Sequence, residues 1–298
     1  MKKEIRLTNL DMLEEVLNLD VDIISIGDEF CPWRLCHIKN YMGIVKKILS
    51  KNKRVRINTS FIPSKAMEQT LVIIKQLMSL SDDIEFVMND YGILNYLKQN
   101  EMLPKNVIIG QMLNHSLEEY LWSNEVISEE AMKVRDNWLL SNFASKHVLN
   151  YFKDYYNVKG IIMNYLPYGQ KSADIIKENG IEINFVDKYY TMAVARKCHS
   201  ALYYNMQPGE TCSEPCHKKL IISLEKTYTI ENMDQKFISP ETEVKEKVEG
   251  WIVYGNVIYY PYPENAQLDK MKYADDTIVI NERYYENLDA IKKALNVY

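Results

Sequence analysis

A chain of 298 residues that is 47% hydrophobic and 26% charged carries enough apolar material for a real core, which excludes an intrinsically disordered protein. Its net charge of −5 offers no general electrostatic footprint for nucleic acid and leaves only a local basic patch as a route to one. No stretch approaches the roughly 18 uncharged apolar residues that a membrane helix requires.

From Met1 to Val16 the chain carries Lys2, Lys3, Glu4 and Arg6 and then an acidic, helix-like stretch, with no apolar run of the secretory kind. A cytoplasmic location is therefore expected. The first two hundred residues then alternate between strand and helix patterns. Val21 to Ile26 is a short apolar run ending at Gly27, as a buried parallel strand should be. Tyr41, Ile44, Val45, Ile48 and Leu49 recur at helical spacing. Val55, Ile57, Thr59 and Phe61 alternate as a strand, and Pro63-Ser64 opens a helix with Met67, Leu71, Ile74 and Met78 on one face. The cycle repeats with strand Ile84 to Met88, helix Ile93 to Leu97 and strand Val107 to Met112. Helical patterns resume over Glu129 to Phe143 and Lys146 to Tyr156. Strand Gly160 to Tyr165, helix Ser172 to Glu178 and strand Ile181 to Val186 follow, with Gly180 as the helix C-cap.

Six βα-type units in succession predict a (β/α) barrel-like parallel sheet covered by helices. A doubly wound open sheet is the alternative, but no G-x-G-x-x-G follows any strand, so a dinucleotide site has no support. Beyond Cys216 the pattern predicts a strand at Lys219 to Leu224 and a solvated loop or helix at Pro240 to Glu249. A hairpin follows around Gly255-Asn256, then a last strand at Thr277 to Ile280 and a helix through Leu288, Ile291 and Leu295. With no linker or repeat in sight, this mixed C-terminal part is expected to complete a single domain over 1–298. The 22 tyrosines fit half-buried packing better than stacking on bases or sugars.

Five cysteines in a reducing compartment more often bind metal or do redox chemistry than form structural disulfides. They are not scattered. Cys31 and Cys36 lie directly after the first predicted strand; Cys198, Cys212 and Cys216 follow the strand Ile181 to Val186, spaced x13 and x3. On a parallel barrel both groups emerge at the C-terminal rim, where such folds keep their chemistry. Four thiolates suit a 4Fe–4S cluster, whose ligand loops vary widely in spacing. The long x13 loop and a single remote cysteine favour the cluster. His37, His199 and His217, each beside a cysteine, keep a zinc site open. Spacing does not choose between Cys31 and Cys36.

The chain resembles the U-32 peptidase family, and within it the iron–sulfur accessory branch of oxygen-independent ubiquinone biosynthesis. The resemblance rests on a strand running into Gly27-Asp-Glu-Phe-Cys31, on Cys198, and on Cys212-Ser-Glu-Pro-Cys216, with a gap one residue longer than the family pattern. Asn58-Thr-Ser60, Asn89-Asp-Tyr-Gly92 and Gly110-Gln-Met-Leu-Asn114 fall where relatives carry similar segments. It covers residues 20 to 220 and weakens beyond. The resemblance implies a barrel-like α/β fold and a 4Fe–4S cluster on Cys31, Cys198, Cys212 and Cys216. It also implies a part in anaerobic, oxygen-independent hydroxylation, with prephenate as the proposed hydroxyl source, beside a second family subunit in a heterodimer. Two departures stand out: Glu182 is kept where acidic residues alternate but Asn184 is not acidic, and Tyr189-Tyr190 replaces Gly-His.

Position at strand ends nominates Glu29, Arg34, Asp90 and Glu182 as catalytic candidates and Asn58 and Asn114 as binders of a small-molecule substrate. Arg34 has the planar fork that suits a carboxylate. There is no H-E-x-x-H and no G-x-S-x-G, so direct proteolysis is not expected.

Overall fold

Residues Lys2–Leu7 form β1, whose two faces show how the molecule is put together. Successive strand side chains point to opposite faces. Ile5 and Leu7 enter the apolar core outside the sheet, while Glu4 and Arg6 are buried on the inner side. The computed structural model describes residues 1–114, 140–166, 169–207, 209, 212–229, 243–262 and 266–298. β2 (Ile23–Gly27), β3 (Arg54–Asn58), β4 (Glu85–Met88), β5 (Asn106–Ile109), β6 (Val158–Met163) and β7 (Glu182–Val186) run parallel to β1. The barrel closes in the order β1-β12-β7-β6-β5-β4-β3-β2, with β12 (Thr277–Asn281) between β1 and β7. This is the barrel-like α/β fold expected, with eight strands where the pattern alone counts six units.

Helices cover the outside: α1 (Leu13–Val16), α2 (Arg34–His37), α3 (Tyr41–Ser50), α4 (Ser64–Met78), α5 (Tyr91–Gln99), α6 (Lys146–Tyr156) and α7 (Gln170–Glu178). Short α8 (His199–Tyr203) and terminal α9 (Leu288–Val297) follow. Their apolar stripes meet the outward residues of the strands in one core, including Val45, Ile74, Leu94, Ile176 and Ile291. Gly180, at φ +72°, closes α7 as a C-cap glycine should. No helix among the described residues is long and apolar enough to cross a membrane.

The barrel interior is charged at its floor. Arg56 donates to Glu85 (2.8 Å), to Asn184 (2.8 Å) and to Glu4, which also accepts from Ser25 at 2.6 Å. Glu182, at the start of β7, accepts from Lys2 and Thr277, each at 2.7 Å. Asn184 thus supplies a neutral acceptor to a guanidinium that already faces Glu4 and Glu85. Higher up the lining turns apolar. Val87, Ile108, Ile162 and Val186 pack against Phe30, Tyr254, Tyr259 and Tyr284.

Tyr254 and Tyr259 belong to a second, antiparallel sheet of β8 (Tyr189–Val194), β9 (Leu220–Thr229), β10 (Glu243–Tyr254) and β11 (Val257–Pro261), ordered β8-β11-β10-β9. It sits over the C-terminal mouth, and Tyr259 is fully buried there, 5.2 Å from the Tyr284 ring and 6.2 Å from Phe30.

Several expectations need correction. The stretch at Pro240 to Glu249, read as a solvated loop or helix, is β10 from Glu243 onward. Its register pairs Glu246 with Lys226 and Lys247 with Glu225 along the strand pair. Residues 240–242 lie outside the described residues. The strand ending at Met112 stops at Ile109, because Gly110 turns against Asn89, where a Cβ would come within 2.2 Å of the amide. The helical pattern over Glu129 to Phe143 lies outside the described residues as far as 139, and residues 140 to 143 are irregular. The hairpin at Gly255-Asn256, the last strand and the last helix occur as expected.

Candidate metal centre

The path to the site begins where β2 stops. Gly27 has φ +94°, and a Cβ there would lie 2.4 Å from the Asn58 carbonyl oxygen, so only glycine lets β2 turn outward this close to β3. Asp28 then accepts from the Phe30 amide at 2.8 Å and pairs with Arg283, just past β12, at 2.9 Å. Burial disfavours the Asp28 charge, but Arg283 and Arg34 more than offset it and hold its carboxyl below the usual range. This anchored turn presents Cys31 at the rim.

The second cysteine group does not follow β7 directly, as the sequence pattern had it; β8 intervenes and carries the chain across the mouth. Cys198 is the N-cap of α8, and its sulfur accepts from the Ala201 amide at 3.4 Å. The Cys212 sulfur accepts from the Glu214 amide at 3.4 Å. Cys216 lies in the turn Pro215–His217, entered through Glu214 at φ +58°. The β10–β11 hairpin joins the two groups. Gly255 exchanges hydrogen bonds with Ser200 (2.9 and 3.0 Å) and packs on Cys216, where a Cβ would stand 3.2 Å from the cysteine Cβ. The Asn256 amide donates to Phe30 O (3.0 Å) and Ala195 O (2.9 Å), tying the β2 loop to the exit of β8.

The result is a cleft of about 410 Å³ lined by Cys31, Cys198, Cys212 and Cys216, with Trp33, Phe61 and Tyr254 on its apolar walls. Cys216 is within electrostatic reach of both Cys31 and Cys198, and Cys198 of Cys212. Burial raises the Cys198 and Cys216 thiols and pushes Cys31 up to about 12, with Asp28 and Cys216 adding to the last. Cys36 stands elsewhere. Its sulfur lies 3.7 Å from Thr70 Oγ1 and 3.8 Å from Pro32 O, at the edge of the main core.

Each cleft sulfur faces an N–H group. Trp33 supplies its backbone amide to Cys31, Ala201 to Cys198 and Glu214 to Cys212. At Cys216 the donor is Arg34, whose Nη2 is 2.8 Å from Sγ. Four thiols, each with an N–H donor, in one cleft are a donor set whose chemistry fits a cysteine-ligated iron–sulfur cluster. Among the described residues no three His, Cys, Asp or Glu side chains are grouped as ligands of a single ion. His37 and His217 instead meet Glu214: His37 Nδ1 is 2.9 Å from its Oε1, and His217 Nε2 is 3.8 Å from its Oε2 and 3.1 Å from Arg34 Nη1. Burial opposes the Glu214 charge, but His217, Arg34 and His37 hold its carboxyl at about 2.

Of the polar residues nominated from sequence, Arg34 alone lines this cleft. Glu29 is buried below it, accepting from Arg6, from Gln111 N (2.8 Å) and from Asn89 (3.3 Å). Asp90 caps α5 and accepts from Ile62 N at 2.9 Å. Asn114 donates to Ile162 O at 2.9 Å and accepts from Ser141. Asn58 donates to Ile26 O at 3.3 Å, and its Oδ1 has no partner among the described residues. Glu182 is at the floor, the far end of the barrel from the cysteines. Tyr189 and Tyr190, in place of Gly-His, are buried at the start of β8.

Sequence reasoning missed Asp28, Glu214, Asn256 and Arg283. A place within three residues of a cysteine marks the first two, and position just past a barrel strand marks Arg283. Nothing local marks Asn256, whose role depends on two loops remote in the chain. Against models of protein families, curated proteins and solved structures, the chain has no match.

Proposed function

We propose that the chain holds a 4Fe–4S cluster on Cys31, Cys198, Cys212 and Cys216. We further propose that it is a UbiV-like protein of the U-32 peptidase family, serving oxygen-independent hydroxylation as an accessory subunit beside a second family member. One observation carries the reading. Four of the five cysteines, drawn from segments far apart in the sequence, line one cleft with an N–H donor at each sulfur, while the fifth packs on the core.

A bound cluster supplies one-electron redox capacity, tuned by the charges and hydrogen bonds around its sulfurs. The chain's own residues do the rest. Phe30 and Tyr254 keep water from the inner wall, the Asp28–Arg283 pair fixes the β2 loop, and Asn256 fixes the distance between the two cysteine groups. The accessory role is favoured over catalysis by the barrel mouth. Phe30, Tyr259 and Tyr284 fill the space where barrel enzymes bind substrate, and Glu29, Asp90 and Glu182 are engaged in hydrogen bonds that hold the fold. A single tetrahedral zinc asks its donors to meet within about 2.3 Å of one point.

Anaerobic purification with iron and sulfide assays tests the reading. Wild type is expected to be brown, with about four irons per chain; Cys31→Ser loses the iron and Cys36→Ser keeps it. Colourless protein carrying one zinc, or iron lost with Cys36 and retained without Cys31, overturns it.

A further inference from the structure

We propose that Arg34 is a positioning residue that sets the reduction potential of the centre, through its guanidinium hydrogen bond to Cys216; this inference rests on the 4Fe–4S reading above. Two guanidinium groups lie near that sulfur, and they differ in what neutralises them. Arg283 forms a 2.9 Å ion pair with Asp28, and both side chains are almost fully buried. Its charge is cancelled locally, in a setting where water does not intervene. Arg34 is as deeply buried, at 5% exposure, but its counter-ion Glu214 is 28% exposed. Solvent screens the carboxylate more than the guanidinium, so the net positive field on Cys216 comes from Arg34.

The geometry makes that field directional. Nη2 points at Cys216 Sγ from 2.8 Å, while Nη1 is held by Glu214 and His217, which fixes the plane of the fork. The other three cleft sulfurs receive neutral backbone amides. Among the described residues only Cys216 receives a charged donor, and charge-assisted bonds are about twice as strong as neutral ones. With a cluster bound, its reduced form would be the more negative, and this bond, stronger to that form, would raise the midpoint potential. Glu214 plays the opposite part, drawing the guanidinium's charge toward itself.

The two residues therefore predict shifts of opposite sign, which a merely structural role does not. The full chain, loaded anaerobically with iron and sulfide, is titrated with dithionite as one-electron donor in the presence of mediator dyes. Arg34→Gln is expected to retain about four irons and to move the reduction equilibrium about tenfold toward the oxidised form, a fall of about 59 mV for a one-electron couple. Glu214→Gln is expected to move it upward by a smaller factor, and Arg34→Lys to fall between wild type and Arg34→Gln. An unmoved midpoint in iron-replete Arg34→Gln, or shifts of the same sign in the Arg34 and Glu214 variants, overturns the inference while leaving the cluster in place. Should Arg34→Gln fail to hold iron, Glu214→Gln decides alone: an upward shift supports the inference and any other result overturns it. A wild type that takes up no iron overturns the cluster reading and this inference with it.

Discussion

The barrel floor and the cysteine cleft are both buried and both polar, but they satisfy their polar groups in opposite ways. At the floor, cations and anions come from the barrel strands themselves and meet one another: Arg56 with Glu4 and Glu85, Lys2 with Glu182. In the cleft, the sulfurs face N–H donors and one guanidinium, yet no covalent bond or disulfide joins them. The floor's charges are paired with one another. On the reading proposed above, the cleft receives a group that brings its cysteines together, and the N–H donors at their sulfurs face the negative charge that group would add.

The strongest way to break this contrast is at Arg56. Arg56→Met leaves Glu4 and Glu85 short of a buried partner, and removing one member of a buried pair costs about 3–5 kcal/mol. Urea denaturation of the metal-free chain should show that loss. Chain that still folds should take up iron as wild type does, because the floor lies at the far end of the barrel. Iron uptake that falls in proportion to the lost stability would erase the distinction between the two regions.

Gly27 sharpens it, because it belongs to both. It ends a barrel strand and starts the loop that carries Cys31. Gly27→Ala places a Cβ 2.4 Å from the Asn58 carbonyl at φ +94°. Strain of this kind costs of order 1–3 kcal/mol. The expected outcome is a smaller stability loss than for Arg56→Met, accompanied by weakened iron retention, since relief of the clash displaces the loop. Stability loss with unchanged iron affinity would show that the loop adjusts independently of the strand.

The same division explains what the sequence discloses. The apolar strands β2 to β7 are legible because their outward faces are Ile, Val and Phe packed under helices. β1 is not legible: Lys2, Glu4 and Arg6 make it look like a hydrophilic leader, and only a charged barrel interior gives those residues an inward face. β10 is hidden for a related reason, its alternating Glu and Lys residues reading as solvated chain until β9 is set beside it. The cysteines were legible as a group because thiols are few and spacing is visible. Asn256 and Arg283 were not, since each acts on a loop more than two hundred residues away in sequence. Glu182 was nominated by position and by the family resemblance, but it opens its strand, and in a parallel barrel that end is the floor and not the rim that carries the cysteines.

The smallest expected effect concerns that last residue and depends on pH. Burial works against the Glu182 charge, but hydrogen bonds from Lys2 and Thr277 and the nearby Arg56 guanidinium outweigh it, so its carboxyl lies below the ordinary value of 4.5 in the folded chain. A depressed folded value means that the carboxylate adds stability above the unfolded value and loses it as pH falls through the folded one. With Lys2 partly exposed, Glu182→Gln should cost no more than about 1 kcal/mol near neutrality. The gap to wild type should narrow as pH drops below 4.5 and close once the native carboxylate is protonated. Thermal or urea unfolding of both chains between pH 7 and pH 3 measures this directly. A gap that stays constant across that range would mean that Glu182 acts at the floor through packing rather than charge, and that the floor is less purely electrostatic than its ion pairs suggest.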